Sequence, residues 1–454
     1  MLQKNYSKAV VGRSYLSFIY GIELLRHDNS VLLLDDERLQ YGDLFNHGIT
    51  QLDIEFFKVW GADRDIICLQ NIESYTTNKP FYFNWGQKRV RLGGGVWSNL
   101  RELYRKFPQF FPFESFFYGE DPSIKDNFEN DYNLLTKRLG TNGFRFKSLE
   151  NTTIEFLLGQ SPQSITDAFL LFKKGIKENK DHAWRFLYFA RAIYHKRLAS
   201  SYSEVELFHF FISLLSPHYL LEDQLLVKEL AEVFIEKGGH FKETQVREWK
   251  FFKGMPWSME LASFEGIIHP QKISFLGSWP LGLPLKVKHG WERFQSIHFE
   301  AHYNDDRLKS RMGDWVIWSS PDHLATDLPM WRLEVFDGVI RGQFLYREKL
   351  GSKISFYQDL LNRQLFSGME EWLPNVTESL SKLKFNPGRE VYLDQSYSFK
   401  TSPLPKLREV KLFDFSSPFL KSKLKNVSYF GPLKGCPLGL YGQLMELKEI
   451  SKYQ

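Results

Sequence analysis

KAVVGRSYLSFIYGIELLRHDNSVLLLDD, residues Lys8 to Asp36, is the stretch that decides the fold. Ala9, Val10 and Val11 form a short apolar run, enough for the end of one buried strand, and Gly12 makes the turn after it. From Tyr15 to Arg26 the apolar residues recur at Leu16, Ile19, Tyr20, Leu24 and Leu25, a helical spacing rather than an alternating one. Asp28-Asn29 closes that helix, and Val31 to Leu34 reads as a second buried strand. Strand, turn, helix and strand in about 30 residues is the size of a βαβ unit, with a right-handed crossover expected.

The turn of this unit is unusual. Where a dinucleotide-binding fingerprint writes G-x-G-x-x-G, the chain writes G-x-S-x-x-S. Gly12 keeps the first glycine, which makes the tight turn. Ser14 stands where a second glycine lets backbone approach a pyrophosphate, and Ser17 stands where a third allows close packing of helix on strand. A serine hydroxyl at a helix N-terminus can itself donate to phosphate. Asp35, about 20 residues beyond the turn, is placed to accept from a ribose hydroxyl. Two outcomes follow from these residues: a weakened nucleotide site, or a βαβ unit that packs and binds nothing.

The rest of the chain sets bounds. Its 454 residues predict two or more domains, and 43% hydrophobic content allows substantial cores. The 41 phenylalanines suggest either a Phe-rich core or an apolar ligand chamber. A net charge of +5 with scattered Lys and Arg gives no nucleic-acid footprint, which would cluster on one face. Two distant cysteines, Cys68 and Cys436, argue against a disulfide scaffold and fit a reducing compartment. Val205 to Leu221 is apolar but interrupted by Glu206, His209, Pro217 and His218, so it reads as a buried or interfacial helix and not a membrane span. With no cleavable leader expected, the sequence reads as cytoplasmic.

Further along, Gly42 and Gly48 fall in a loop able to lie over a nucleotide. Lys79 to Leu92 reads as a hairpin turning near Trp85-Gly86. Gly93-Gly94-Gly95 reads as a flexible connection, since no GK[ST] follows as a phosphate loop requires. It leads into a helix capped by Ser98 or Asn99 and ending before Pro108. From about Asn130 to Glu236 the pattern is helical and aromatic, with Phe169, Phe172, Phe186, Tyr188, Phe189, Phe208, Phe210 and Phe211 expected in part to line an elongated pocket or an exposed patch. A helix then ends at Gly238-Gly239 before a strand, and residues 259–276 resemble a hairpin. Alternating strands follow from about Leu283 to Glu348, with helical stretches near 353–366 and 376–384. The C-terminus reads as strand, Gly/Pro loop and helix.

Three separated segments in this order resemble the FAD-binding superfamily of phytoene desaturases, amine oxidases and Rab GDP-dissociation inhibitors. The first is the opening unit with its downstream YGD. The second is LVKELAEVFIEKGGHFKETQVREW, similar to that family's helix, double glycine and strand. The third is SYFGPLKGCPLGLYGQLMEL, similar to its closing strand, A-G-D motif and helix. The resemblance implies an α/β fold: a Rossmann-like FAD-binding domain assembled from separated segments, plus a mixed α+β substrate domain with an aromatic helical insertion. It implies FAD-binding-like segments at 1–108, 225–280 and 421–454, a largely helical substrate or partner domain at 109–224, and a mixed domain at 281–420. It implies FAD contacts at Gly12, Ser14, Ser17, Asp35, Gly42, Val246 (backbone toward the adenine), Gly431, Gly439 and Gly442. Pro432 departs from the pattern, standing where an acidic residue binds the pyrophosphate-ribityl region. Leu438 to Gly442 still offers backbone N–H groups at a helix start, where partial positive charge collects.

Two functions from different classes are compatible with that resemblance. One is an FAD-dependent oxidoreductase acting on an apolar or lipid-like substrate, with no catalytic side chain nameable. The other is a non-catalytic binding protein on the same fold that has lost the flavin and holds a partner protein or lipid, possible membrane-surface contact included. Fold alone does not choose between them. An enzyme using another nucleotide is a third, with Asp35 repelling a 2′-phosphate. His298, Glu300 and His302 share one strand face, but without a partner motif they read as solvated rather than as a metal site. Ser14 is no nucleophile elbow, which needs G-x-S-x-G after several strands. Asp305-Asp306, Glu370-Glu371 and Asp121 fall in loops, and Arg185, Arg191 and Arg197 read as a solvated helix face.

Overall fold

β1 (Asn5–Val11), α1 (Tyr15–Leu25) and β2 (Val31–Asp35) form the expected βαβ unit, with β1 and β2 paired in parallel. The computed structural model describes residues 5–12, 14–27, 30–35, 48–85, 88–117, 122–145, 153–179, 204–262 and 266–276. Beyond these it describes 285–287, 291–303, 315–319, 330–336, 339–347, 380–385, 403–405, 420–422 and 426–430, with Leu444 and Leu447. After β2 come β3 (Gly48–Thr50), α2 (Gln51–Arg64), α3 (Ile67–Gln70), β4 (Thr76–Asn78) and the hairpin β5 (Phe81–Trp85) and β6 (Lys88–Leu92). Next are α4 (Val96–Lys106), α5 (Glu114–Phe117), α6 (Pro122–Arg145), α7 (Ile154–Gln160) and α8 (Gln163–Glu178). Helix Glu204–Leu215, β7 (His218–Leu221) and helix Asp223–Glu236 then lead to β8 (His240–Glu243), β9 (Val246–Phe252), β10 (Met255–Leu261) and β11 (Ile267–Leu276).

One sheet runs β8-β2-β1-β11-β10-β9. A late strand, β20 (Val427–Phe430), adds in parallel to the carboxyl half of β11. Strands from the start, middle and end of the chain therefore share one parallel sheet, the segmental assembly that the resemblance implied. The end of β1, Ala9 to Val11, is apolar without interruption because both its faces are covered. Val10 packs with Leu16, Ile19 and Leu33 on the helical side. Ala9 and Val11 pack with Leu32, Leu34, Val246, Met259 and Leu261 on the other. Each such side chain contributes roughly 1.5–3 kcal/mol by burial.

The helix before Gly238-Gly239 is seated by one side chain. Phe234 lies against Gly21 of α1 and against Gly239, where added Cβ atoms would come within 2.9 and 2.4 Å of its ring. Its edge meets Phe18 at 6.3 Å between centroids. Gly238 turns the chain at φ +90°, a left-handed value that favours glycine, and β8 then pairs with β2. The strand expected after the double glycine, at 243–252, is β9 from Val246 onward, and a further strand precedes it: β8 joins the parallel sheet while β9 forms a hairpin with β10.

A second sheet runs β17-β13-β16-β15-β14-β5-β6, built from β13 (Trp291–Tyr303), β14 (Trp315–Ser319), β15 (Met330–Phe336), β16 (Val339–Arg347) and β17 (Leu380–Phe385) with the earlier hairpin. Before β13 lies β12 (Leu285–Val287), paired with β19 (Leu420–Ser422), while β18 (Pro403–Pro405) pairs with the start of β13. Hairpin β5–β6 joins through a parallel contact with β14, so the first 108 residues contribute strands to both sheets. Residues 380–384, expected as helix, are strand instead: β17 pairs along β13, and the alternation in LSKLKF suits that role.

Helix Glu204–Leu215 is also shorter than the apolar stretch predicted. Pro217 cannot continue it, and His218–Leu221 becomes the centre of a small antiparallel sheet, β3-β7-β4. The Gly93 turn is fixed rather than flexible. Its N–H donates to Asn99 Oδ1 at 2.9 Å, its C=O accepts from His218 N at 2.9 Å, and φ is +84°. A Cβ there would fall 2.5 Å from His218 Cβ. Gly95, and neither Ser98 nor Asn99, is the N-cap of α4. Asn99 is drawn away because its amide donates to the carbonyls of Leu215 and Ser216, tying α4 to the end of helix Glu204–Leu215.

Candidate functional site

The carboxyl ends of the parallel strands lie level. Val11 pairs with Leu34 on one side and Phe275 on the other, and Leu276 pairs with Phe430. This edge is where an open α/β sheet places a ligand. It brings together Gly12, Ser14 and Ser17 after β1, Asp35 at the end of β2, and the end of β20, which delivers the chain toward Gly431. Gly42, Gly431, Pro432, Gly439 and Gly442 lie outside the described residues, as do Cys436, Asp121, Arg185, Phe186, Tyr188, Phe189, Arg191 and Arg197, and with them Asp305-Asp306, Glu370-Glu371 and the stretch 353–366.

Ser14 is the N-cap of α1. In extended backbone its Oγ accepts the Ser17 N–H at 3.3 Å, and the two serine hydroxyls are 3.2 Å apart. Ser17 is fully buried. Its hydroxyl fills the space above Gly12, where a Cβ would lie 2.5 Å from Ser17 Oγ and 2.4 Å from the Leu276 carbonyl oxygen. Gly12 is thus needed for a close approach to β11 and Ser17, while its N–H donates to Leu34 O at 3.0 Å. The missing third glycine is compensated: the first glycine's bare face makes room for the serine.

A dinucleotide pyrophosphate needs room over this turn and a helix N-terminus open to phosphate. Ser14 puts its hydroxyl at that helix start and caps it from within the chain, while the buried Ser17 hydroxyl packs between α1 and Gly12. At the helix start the Ser17 N–H is already taken by Ser14, which leaves one backbone donor fewer to face a phosphate. The ribose end differs: Asp35 closes β2, buried, its carbonyl accepting from Thr244 N at 3.1 Å. Val246 is buried opposite Leu261 in the hairpin β9–β10, its side chain part of the sheet's core.

Sequence reasoning missed a hydroxyl relay beneath this edge. Tyr20 OH lies 3.2 Å from Ser274 Oγ, which is 2.7 Å from Ser428 Oγ. It links α1, β11 and β20, and no spacing rule connects residues so far apart in sequence. The aromatic insertion is core where it is described. Phe169, Phe172, Phe208, Phe210 and Phe211 are all fully buried, with Phe172 and Phe211 stacked at 5.2 Å and Phe169 edge-on to Phe208 at 5.1 Å. His298, Glu300 and His302 lie along β13, where Glu300 is the cross-strand neighbour of Arg341 and Lys384. Among the described residues no group of three His, Cys, Asp or Glu is arranged to hold a metal. No described helix is long and apolar enough to cross a membrane.

This edge, with parallel strands from three parts of the chain, defines a Rossmann-like α/β fold. No family model matches the sequence, and no curated protein matches it. Among solved structures the chain is similar to an engineered putrescine oxidase, at 11% identity and a TM-score of 0.47, covering 99% of each chain. It is similar to a flavin-dependent halogenase from Xanthomonas campestris at 9% identity and 0.43, covering 100% of this chain and 71% of that one. It is similar to a Rab GDI from Plasmodium falciparum at 12% and 0.39, covering 85% and 90%. Likeness at this level carries neither cofactor nor substrate across.

Proposed function

We propose that this chain is a binding protein on a dinucleotide-binding architecture, holding a protein partner or a lipid-like molecule rather than performing flavin chemistry. The observation that carries this reading is the serine pair: the Ser14 hydroxyl already accepts the Ser17 N–H at the helix start where a pyrophosphate would bind, with the Ser17 hydroxyl packed behind it. The test is the visible absorption spectrum of the purified protein, followed by thermal melting with excess FAD. A colourless protein with an unmoved melting temperature is expected. Saturating ligand at about 100 times its dissociation constant would stabilise the fold by roughly 2.7 kcal/mol, so bound FAD could not escape notice. A yellow protein, or a clear upward shift, overturns the reading.

Asp35 favours a second reading, an FAD-dependent oxidoreductase acting on an apolar substrate. The acid stands at the carboxyl end of β2, the position from which a ribose would be held. Flavin would supply hydride or electron transfer, with the chain contributing position and electrostatics. The same spectrum separates the two.

A further inference from the structure

The outer end of the β9–β10 hairpin carries large apolar side chains that the fold does not cover. Phe252 is 56% exposed, Trp257 57% and Met255 41%. They flank a two-residue turn, Lys253-Gly254, with both residues at positive φ, +48° and +79°, as a tight hairpin requires. Phe252 and Met255 are cross-strand partners. Trp257 owes its position to a bulge: Pro256 pairs with Phe251 and Ser258 with Lys250, leaving Trp257 as the extra residue. A bulge re-aims the side chain it carries. Here the indole leans on Phe252 at 5.9 Å and edge-on to His269 of β11 at 6.0 Å. His269 Nδ1 fixes the strand by bonding Trp257 O at 2.8 Å. The opposite face of the same hairpin does the ordinary work of packing, with Trp249 against Phe275 at 5.3 Å.

The charge at the turn itself is the cation of Lys253. Farther down the hairpin Arg247 and Lys250 are set against two acids, Glu248, which pairs with Lys250 at 3.1 Å, and Glu260, the cross-strand neighbour of Glu248. That leaves Lys253 at the apex of the patch, its ammonium 5.4 Å from the Phe252 ring. A Trp, a Phe and a Met grouped at a turn with lysine beside them match the layered chemistry of a bilayer surface. Aromatic rings suit the headgroup boundary, and cations suit an anionic leaflet. We propose that the tip Phe252–Trp257 is a docking point for an anionic lipid surface. This holds whether or not the sheet edge carries flavin, so its failure is separate from failure of the binding-protein reading.

The test is co-sedimentation of the full chain with vesicles of phosphatidylcholine alone and of phosphatidylcholine with phosphatidylserine in equal parts. Binding to the anionic vesicles that weakens with added salt is expected, with little binding to the neutral ones. Lys253→Glu should weaken it about tenfold or more, since each basic residue near such a surface contributes about 1 kcal/mol and the reversal counts twice. Phe252→Ser with Trp257→Ser should abolish it while melting stays unchanged, both side chains being on the surface. No binding by the wild type, or binding that these variants leave unchanged, overturns the proposal. So does a concentration-dependent rise in mass without vesicles that the double variant removes, which would make a second copy of the chain the occupant of this edge.

Discussion

Ser14 Oγ and the Ser17 N–H meet at 3.3 Å, so the helix that should greet a phosphate is capped by its own first residue. The pair replaces two glycines without opening the packing, because Gly12 leaves space for the Ser17 hydroxyl against Leu276. Local packing and the hydrogen bonding of the helix start are therefore set by the same two side chains, and changing them should move both.

Replacing Ser14 by Ala removes the cap while leaving the backbone free to keep its extended conformation. Urea unfolding should show a loss of about 1 kcal/mol, the usual worth of a serine N-cap. Ser14→Gly with Ser17→Gly restores the glycine pattern. If the serines are what closes the turn, that double variant should gain a thermal shift with FAD that the wild type lacks. A wild type and a double variant that both ignore FAD would mean that the obstruction lies elsewhere.

Gly12→Ala should be costlier. The new methyl would lie 2.4 Å from a backbone oxygen, which cannot swing away as a side chain can. A loss of about 1–3 kcal/mol is expected, the range for overpacking a filled site. Adding Ser17→Ala removes the hydroxyl contact but not the Leu276 one, so stability should return only in part. Full recovery in the double variant would show that β11 yields more easily than its place between β1 and β20 implies.

The βαβ unit was legible because β1 and β2 are buried on both faces and α1 on nearly all sides, leaving long apolar runs. Asp35 and the serines could be placed by counting from it. What could not be read was set by distant partners. Residues 380–384 become strand because β13 pairs with them, and Asn99 leaves its capping role for carbonyls more than a hundred residues away. The hairpin at Lys79 to Leu92 was visible, but its membership of the second sheet depends on β14. Phe234 gives the double glycine a packing reason at this position, since a side chain on Gly239 would strike its ring.

Burial pushes the Cys68 thiol up from its ordinary 9.0 to about 11, with the nearby Glu229 carboxylate adding to the shift. The folded state therefore holds that proton more tightly than the unfolded state. The contribution is complete below about pH 9 and is lost as pH rises from there through 11. Alkylation by iodoacetamide at pH 8 should be slow in the native protein and fast in urea, because the thiolate is the nucleophile. Rapid native labelling at Cys68 would contradict both the burial and the shift.

Glu23 of α1 and Arg64 of α2 make a buried two-point ion pair, with Arg64 Nε on Glu23 Oε2 at 2.6 Å and Nη2 on Oε1 at 3.0 Å. Their side chains are 4% and 6% exposed. The pair joins α1 of the βαβ unit to α2, with the guanidinium also 5.8 Å from the Trp60 ring. Arg64→Ala leaves the Glu23 carboxylate buried, with the half-exposed Arg26 at 3.3 Å as its remaining cation among the described residues. Removing one partner of a buried pair costs about 3–5 kcal/mol, and Arg26 should hold the loss to the lower end. Glu23→Leu combined with Arg64→Met removes both charges and refills the volume, so most of that loss should be recovered. A double-mutant cycle by urea unfolding measures the coupling directly. A cost under about 1 kcal/mol for Arg64→Ala, the range of an exposed pair, would mean that water reaches Glu23 once Arg64 is gone.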